Sequence, residues 1–358
     1  MSEKLISRKR RRVLSWSVNI SGILAFALII HWGGTQMWRQ IVQADLRFVL
    51  AALITTLLWN MVAAYRWSRI ADEVAGHQRA CSYRYYLTYH MIGMLTGGLM
   101  SITVGMLGGR TVALSLSRGL SIKLSALSTF LDKVFDLILA LVIAVPAALY
   151  LMGWMELPMA LGLIGVTVAA SFVVLLWQYG QAVRLARRCF NFLARLLARV
   201  PLVGKRVSAG LPGEVDGDSE SISLSHRTAL QAFLLTVIMY SLLSTRLILI
   251  ALALRLEIPW YLLAMGVSIT QLSVLFAITP GSLGFLEGGW WAVLTFGGLK
   301  LDQFTAFVVG RRAFALAFTI IGVALAFAWI RESPARLFRA MIQRSRGSTV
   351  VNADADSP

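Results

Sequence analysis

The stretches ITVGMLG (Ile102–Gly108) and ITPGSLG (Ile278–Gly284) share the pattern I-T-x-G-x-L-G, and one lies in each half of the chain. Each lies inside a longer apolar stretch that is interrupted by glycines, Tyr85–Leu116 and Trp260–Leu299. Glycine permits tight turns and a close approach of two backbones. The repeated phrase therefore predicts two related, broken helices, one in each half.

The composition is that of an integral membrane protein. Hydrophobic residues make up 58% of the 358 residues and charged residues only 14%, whereas a soluble domain carries about 25% charged residues. Several apolar runs are long enough to cross a hydrocarbon core of roughly 30 Å. With the two broken stretches they predict an all-α polytopic protein of about eight helical elements. The predicted plain spans are Val13–Ile30, Phe48–Ala64, Leu124–Leu149, Leu157–Trp177, Ala229–Leu252 and Phe304–Ile330.

The distribution of basic residues predicts the topology. Lysine and arginine favour the cytoplasmic side of a membrane protein. If each broken stretch enters and leaves on the same side, 26 of the 34 Lys and Arg residues are cytoplasmic, four lie outside and four lie within spans. A single crossing of the first stretch would instead place the arginine-rich segment Gln181–Val200 outside. We therefore expect two re-entrant hairpins, with both termini in the cytoplasm.

The same topology predicts an inverted repeat, because one hairpin enters from the cytoplasm and the other from outside. A basic N-terminus, 1–12, precedes the first repeat, 13–151. The second repeat, 157–330, contains an amphipathic cytoplasmic insert, 181–227, and a basic, partly disordered tail, 331–358, follows it. Inverted repeats whose broken helices meet near the membrane midplane are typical of transporters. The net charge of +17 is explained by the excess of basic residues on the cytoplasmic side and by their contact with anionic lipid headgroups. No nucleic-acid partner is therefore expected.

The hairpin tips are candidate binding sites. Backbone N–H groups at the start of a helix attract phosphate, and a proline that lacks an N–H suits the start of a broken helix. The alternative is that these glycines serve only the close packing of helices. The candidate residues are Thr103, Gly105 and Gly108 at the first tip, and Thr279, Pro280, Gly281 and Gly284 at the second.

Charged residues within the spans or directly after the tips are the second group of candidates, because charges inside a membrane are costly and usually functional or paired. A two-residue shift between the halves would make Arg311 the repeat partner of Lys133. The alternative is an internal ion-pair network, such as Asp136 with Lys133 or Glu287 with Arg311. A cationic pocket with a few carboxylates would suit an anionic or zwitterionic lipid headgroup. The candidates are Arg110, Lys133, Asp136, Glu287, Arg311 and Arg312.

Neither a metal site nor a cofactor is expected. The two cysteines and four histidines show no spacing of metal ligands. A nucleophile paired with a base is not evident in the sequence either.

The segment TPGSLGFLEGGWW (Thr279–Trp291), followed by Arg311, resembles the P-G-G-x-G-x-x-E signature of the lysylphosphatidylglycerol synthase membrane-domain family, which is also described as flippase-like. The stretches GGR and FLDKVFDL resemble its glycine–acid–Arg and Arg-x-x-Asp elements. The resemblance covers about Val13–Ile330. The chain departs from the family pattern at Gly109, Lys133, Ser282 and Leu286.

The resemblance implies the translocating membrane part of such a synthase without lysyl transfer, because the soluble aminoacyl-transferase domain has no room in this chain. We expect the protein to move a polar-headed phospholipid, or a lipid linked to polyprenyl phosphate, between the leaflets of a bacterial inner membrane. The alternatives are a membrane-embedded lipid-modifying enzyme of glycosyltransferase type and a non-transporting partner of such an enzyme. The expected headgroup-attracting cations are Arg110, Lys133, Arg311 and Arg312, with Asp136 and Glu287 positioning them or carrying protons.

Overall fold

The computed structural model describes residues 38–76, 82–99, 102–118, 122–174, 224–275, 277 and 279–330, together with residues 31 and 177. Across these residues the secondary structure is helical, without strands, as predicted. The helices are α1 (Leu46–Val74), α2 (Tyr83–Leu99), α3 (Ile102–Arg118), α4 (Ile122–Leu151), α5 (Leu157–Val174), α6 (His226–Ala253), α7 (Trp260–Leu275), α8 (Phe285–Phe296) and α9 (Leu301–Ile330), with a 3₁₀ turn at Pro280–Ser282.

Helices α1, α4, α5, α6 and α9 are long and apolar enough to cross a membrane. They correspond to five of the predicted spans and confirm a multi-pass membrane protein. Helix α1 continues ten residues beyond the predicted end at Ala64, and this extension contains Arg66. The predicted first span Val13–Ile30, the amphipathic segment Gln181–Val200 and the tail 331–358 lie outside the described residues.

The first broken stretch forms the helix pair α2 and α3, which pack along each other. A Cβ atom at Gly105 would overlap the backbone of Gly97 on α2, and one at Gly109 would lie 2.7 Å from Thr96 Oγ1. The Thr96 hydroxyl donates a hydrogen bond to the carbonyl oxygen of Gly105 (3.0 Å). The glycines of this pair therefore allow two backbones to touch, as small residues do in membrane helix packing.

The second broken stretch differs in local structure. Gly281, Ser282 and Gly284 have φ angles of +57°, +57° and +84°, so the second glycine-rich phrase is itself the break between α7 and α8. The first phrase instead occupies the opening turns of α3, directly after the break between α2 and α3. The two related phrases therefore have different conformations.

The two breaks meet. The 3₁₀ turn contacts both α2 and α3, and a Cβ atom at Gly281 would lie 3.1 Å from the carbonyl oxygen of Gly98. The re-entrant path of the hairpins and the inverted repeat remain predictions. Around this junction α1 packs against α6 and α4 packs against α7, while only 6% of α5 is buried.

Candidate functional site

A cluster of ionised side chains joins α1, α3 and α4. Arg66 Nε lies 2.7 Å from Asp132 Oδ1, and Arg110 Nη1 lies 2.7 Å from Asp132 Oδ2. None of the three side chains is more than 1% exposed. Asp132 is therefore held between two guanidinium groups. We call this group, with Lys133 and Asp136, the Asp132 cluster.

Asp136 extends the cluster by one helical turn. Its Oδ1 lies 2.6 Å from Arg66 Nη1 and its Oδ2 lies 2.8 Å from Lys133 Nζ, so the predicted pair of Lys133 with Asp136 is confirmed. Helix α6 takes part as well. Thr236 Oγ1 accepts a hydrogen bond from Arg66 Nη1 (2.6 Å), and the Tyr240 hydroxyl donates to the backbone carbonyl of Asp136 (3.0 Å).

A buried histidine links this cluster to α1 and α2. Arg110 Nη2 donates a hydrogen bond to His90 Nδ1, so the ring proton of neutral His90 is on Nε2. His90 Nε2 then donates to Asn60 Oδ1 (3.0 Å), and Asn60 Nδ2 donates to the carbonyl of Thr56 (2.8 Å). The guanidinium of Arg110 also lies 4.8 Å from the centre of the Trp67 ring, a cation–π contact. Each residue in this chain of hydrogen bonds donates to the next, from Arg110 to Thr56, and the chain connects α3 and α2 to α1.

These contacts place the predicted site residues of the first half in an ion-pair network. Arg110 is fully enclosed, whereas the side chains of Lys133 and Asp136 are 32% and 22% exposed. Of this network, only Lys133 and Asp136 are placed to meet a ligand directly. Arg66 and Arg110, which the topology prediction counted among cytoplasmic loop residues, are instead buried in the helix bundle.

A second cluster fixes the break between α7 and α8. Arg312 Nε donates to Glu287 Oε1, and Glu287 Oε2 accepts the backbone N–H of Gly284 at 2.7 Å. Both terminal nitrogens of Arg312 lie 3.2 Å from the carbonyl oxygen of Gly281. We call Glu287, Arg312, Gly281 and Gly284 the Glu287 cluster. Its carboxylate pairs with Arg312, so the predicted pair with Arg311 is wrong.

The remaining residues of the break stabilise its backbone. The hydroxyl of Thr279, which is buried, donates to the carbonyl oxygen of Leu283 at 2.7 Å. Pro280 begins the 3₁₀ turn, where its missing N–H costs no hydrogen bond. The Oγ atom of Ser282 is buried and has no hydrogen-bond partner among the described residues.

Two further arginines, Arg311 beside Arg312 and Arg246 on α6, each have a buried guanidinium nitrogen without a partner among the described residues. Arg311 is only 7% exposed, and no described residue accepts a hydrogen bond from its Nε or Nη2 atoms. The charges of Arg312, Glu287 and Arg246 all act on it. Arg246 on α6 also has a buried Nε atom that no described residue pairs, and its guanidinium lies 6.0 Å from the centre of the Trp59 ring. Neither of these two cations forms a salt bridge with a described residue, whereas Arg66 pairs with Asp132 and Asp136.

Both clusters lie in the part of the chain that matches a known protein family. Residues 14–322 match the family model described as lysylphosphatidylglycerol synthase TM region. The chain belongs to this family. Both clusters are therefore parts of a lysylphosphatidylglycerol synthase TM region, as the resemblance of Thr279–Trp291 predicted. No curated protein matches the chain.

Sequence reasoning missed Arg66, Asn60 and His90. Arg66 follows the predicted end of its span, and its partner Asp132 lies far away in the sequence, so no local pattern reveals the pair. Asn60 and His90 are single polar residues in apolar helices, which more often serve packing than function. The polar residues Asn60 and Arg66 within one helix were the available signal, because an isolated polar residue in a membrane helix needs a partner.

Proposed function

We propose that this lysylphosphatidylglycerol synthase TM region protein moves a polar-headed phospholipid, or a lipid-linked intermediate, between the leaflets of a bacterial inner membrane. The observation that carries this proposal is Arg311, a buried cation whose Nε and Nη2 atoms have no hydrogen-bond acceptor among the described residues, on a helix that is able to span the membrane. A charge buried in such a place costs several kcal/mol unless it is paired. A membrane protein that keeps such a charge uses it to attract a polar group.

The break beside Arg311 supports the same proposal. Irregular backbone is tolerated at membrane depth only where protein covers it or where it lines a water-filled cavity. Here the positive-φ turn at Gly281 is held by Arg312 and lies against the end of α2. Broken helices that meet next to buried charge are the arrangement in which transporters bind ions and polar substrates.

The clusters suggest a division of roles. The Glu287 cluster holds the break in shape, and the Asp132 cluster fixes α1, α3 and α4 around it. Lys133 and Asp136, which are partly exposed, would meet a headgroup before it reaches Arg311. The phospholipid bilayer supplies the ligand, and a lipid-modifying enzyme that makes or uses it would be the natural partner.

The test is leaflet exchange by purified protein. Liposomes containing the protein and a fluorescent phospholipid are treated with an impermeant reducing agent, which destroys fluorescence in the outer leaflet only. We expect the wild type to expose inner-leaflet lipid and the Arg311→Ala variant to lose this exchange. Arg39→Ala, at an exposed arginine, is the matched control and should retain it. Full exchange by Arg311→Ala that elutes as a folded protein would contradict the proposal.

The proposed orientation has its own test. Both termini and the segment Gln181–Val200 are assigned to the cytoplasm on the basis of the charge distribution. In a background without Cys81 and Cys189, a single cysteine at Ser208 should stay unlabelled by an impermeant thiol reagent in intact cells and become labelled after lysis. Labelling in intact cells would reverse the orientation.

A further inference from the structure

Charged residues stand at matching positions in α1 to α4 and in α6 to α9. Arg66 and Arg246 each lie twenty residues after the first residue of their helices, α1 and α6. Asp132 and Arg311 each lie ten residues after the first residue of α4 and α9. The two pairs, Arg66 with Asp132 and Arg246 with Arg311, therefore occupy corresponding places in the two halves.

This register differs from the two-residue shift inferred from the sequence. Lys133 corresponds to Arg312, the residue after Arg311. This register is counted from the helix starts, whereas the two-residue shift was counted from the spacing of the glycine-rich phrases. In the register of the helix starts, the carboxylate of Asp132 in the first half corresponds to the guanidinium of Arg311 in the second half.

The two corresponding pairs have opposite electrostatics. Arg66 and Asp132 form a fully buried salt bridge of 2.7 Å. Arg246 and Arg311 are two cations on helices that contact each other, and the charge of Arg246 acts on Arg311. Each has a buried Nε atom without an acceptor among the described residues. The negative charge that completes the first-half pair has no counterpart among the described residues of the second half.

The neighbouring carboxylates do not replace it. Asp136, which also holds Arg66, lies fourteen residues into α4, and the corresponding residue of α9 is Ala315. Glu287 is the remaining buried acid among the described residues of the second half, and both of its oxygens already accept hydrogen bonds from Arg312 and Gly284. None of the acids whose side chains the structure describes therefore supplies this charge, and an anionic ligand could supply it.

We propose that Arg246 and Arg311 form an anion site in which a phosphate group takes the place of the Asp132 carboxylate. The inference rests on the proposed function in one respect, because it takes the phosphate to be the headgroup of the transported lipid. Guanidinium groups bind phosphate through paired hydrogen bonds. Two unbalanced cations match a phosphomonoester or a diphosphate, since a phosphomonoester carries about 1.5 to 2 negative charges at neutral pH. A phosphodiester supplies one negative charge, and a zwitterionic headgroup has no net charge.

Binding to the purified protein in detergent tests the headgroup class. The probes are dihexanoyl phosphatidic acid, phosphatidylglycerol and phosphatidylcholine, which share acyl chains, together with inorganic phosphate. We expect phosphatidic acid to bind most tightly and phosphatidylcholine most weakly. Arg246→Ala and Arg311→Ala should each weaken phosphatidic acid binding by about tenfold to a hundredfold, and leave phosphatidylcholine unchanged. If the three lipids bind with equal affinity, the proposed anion site is wrong. If inorganic phosphate binds as tightly as phosphatidic acid, the ligand of the site is not a lipid.

A charge reversal gives a test that does not depend on loss of binding. Arg311→Asp rebuilds the first-half pair, with Arg246 facing a carboxylate. We expect a higher melting temperature than for Arg311→Ala in the absence of any anion, and no stabilisation by phosphatidic acid. The matched reversal Arg39→Asp changes an exposed arginine. This variant should still be stabilised by phosphatidic acid, because a ligand that binds the folded state raises its melting temperature. A lower melting temperature for Arg311→Asp than for Arg311→Ala would overturn the proposal.

The two proposals can fail separately. Selective binding of phosphatidic acid without leaflet exchange would remove the transport function and leave the anion site. Leaflet exchange with equal affinity for all three lipids would remove the anion site and leave the transport function.

Discussion

Arg66 and Asp132 join α1 to α4 through a contact of 2.7 Å between Nε and Oδ1, and neither side chain is exposed. The other oxygen of Asp132 accepts a hydrogen bond from Arg110 at 2.7 Å. One carboxylate thus separates two buried guanidinium groups that would otherwise repel each other. This makes Asp132 the central residue of the first cluster, although neither the hairpin phrases nor the site prediction pointed to it.

Asp132→Asn should destabilise the protein strongly, because it removes the charge that compensates Arg66 and Arg110. We expect the free energy of unfolding, measured by denaturant titration in mixed micelles, to fall by about 3–5 kcal/mol. Glu257→Gln, at an exposed acid, is the control and should stay within about 0.5 kcal/mol of the wild type. Equal stabilities of the two variants would show that the cluster is not a structural brace.

Glu287→Gln should leave the fold intact and slow lipid exchange. The amide oxygen of glutamine can still accept the N–H of Gly284, but the charge of Arg312 loses its partner. Loss of one charge-assisted interaction of about 1.5–3 kcal/mol corresponds to an exchange rate about ten to a hundred times lower. Glu156→Gln, at an exposed position, should exchange lipid normally. An unchanged rate for Glu287→Gln in liposomes would exclude a role for this charge in transport.

Gly105→Ala and Gly108→Ala form a matched pair on one helix. The new methyl group at 105 would overlap the backbone of Gly97, whereas nothing lies within 4 Å of the Cβ position at 108. Forcing α2 and α3 apart should cost about 1–3 kcal/mol, while alanine at 108 should be neutral or stabilise the helix by up to about 1 kcal/mol. Thermal unfolding followed by fluorescence would measure both. Similar melting temperatures would mean that the close glycine contact does not control the packing of this hairpin.

His90 should remain neutral with its proton on Nε2, because Arg110 occupies Nδ1 as a donor. Nitrogen NMR of histidine-labelled protein distinguishes this tautomer from the other neutral form and from the imidazolium. Variants that remove His31, His77 and His226 identify the His90 signal. A proton on Nδ1 would contradict the hydrogen-bond chain from Asn60 to Asp132.

Hydropathy was sufficient to predict the fold class and the five plain spans that the structure describes, because an apolar run of sufficient length has few alternatives to a membrane helix. It was not sufficient to locate the first break. The phrases differ at two positions, Val104 against Pro280 and Met106 against Ser282, and of these residues only the proline prevents a continuous helix. The same glycine pattern therefore forms the start of α3 in one half and a positive-φ turn in the other.

The sequence also could not predict which arginine pairs with Glu287. Arg311 and Arg312 are adjacent, and neighbouring residues on a helix point about 100° apart. In a helix that is apolar on every side, no amphipathic pattern shows which of the two faces the break. The contact that decides is with Gly281 and Glu287, two residues on a different part of the chain.

The meeting of Gly98 and Gly281 bears on how the protein is made. Translation completes α2 and α3 before residue 281 is made, so the turn at Gly281 can reach the carbonyl of Gly98 only after these two helices exist. That turn is held by Arg312, which is made only with α9. The junction is therefore completed last. A chain that ends before α9 lacks the hydrogen bonds from Arg312 to Gly281 even though all of its earlier helices have been made.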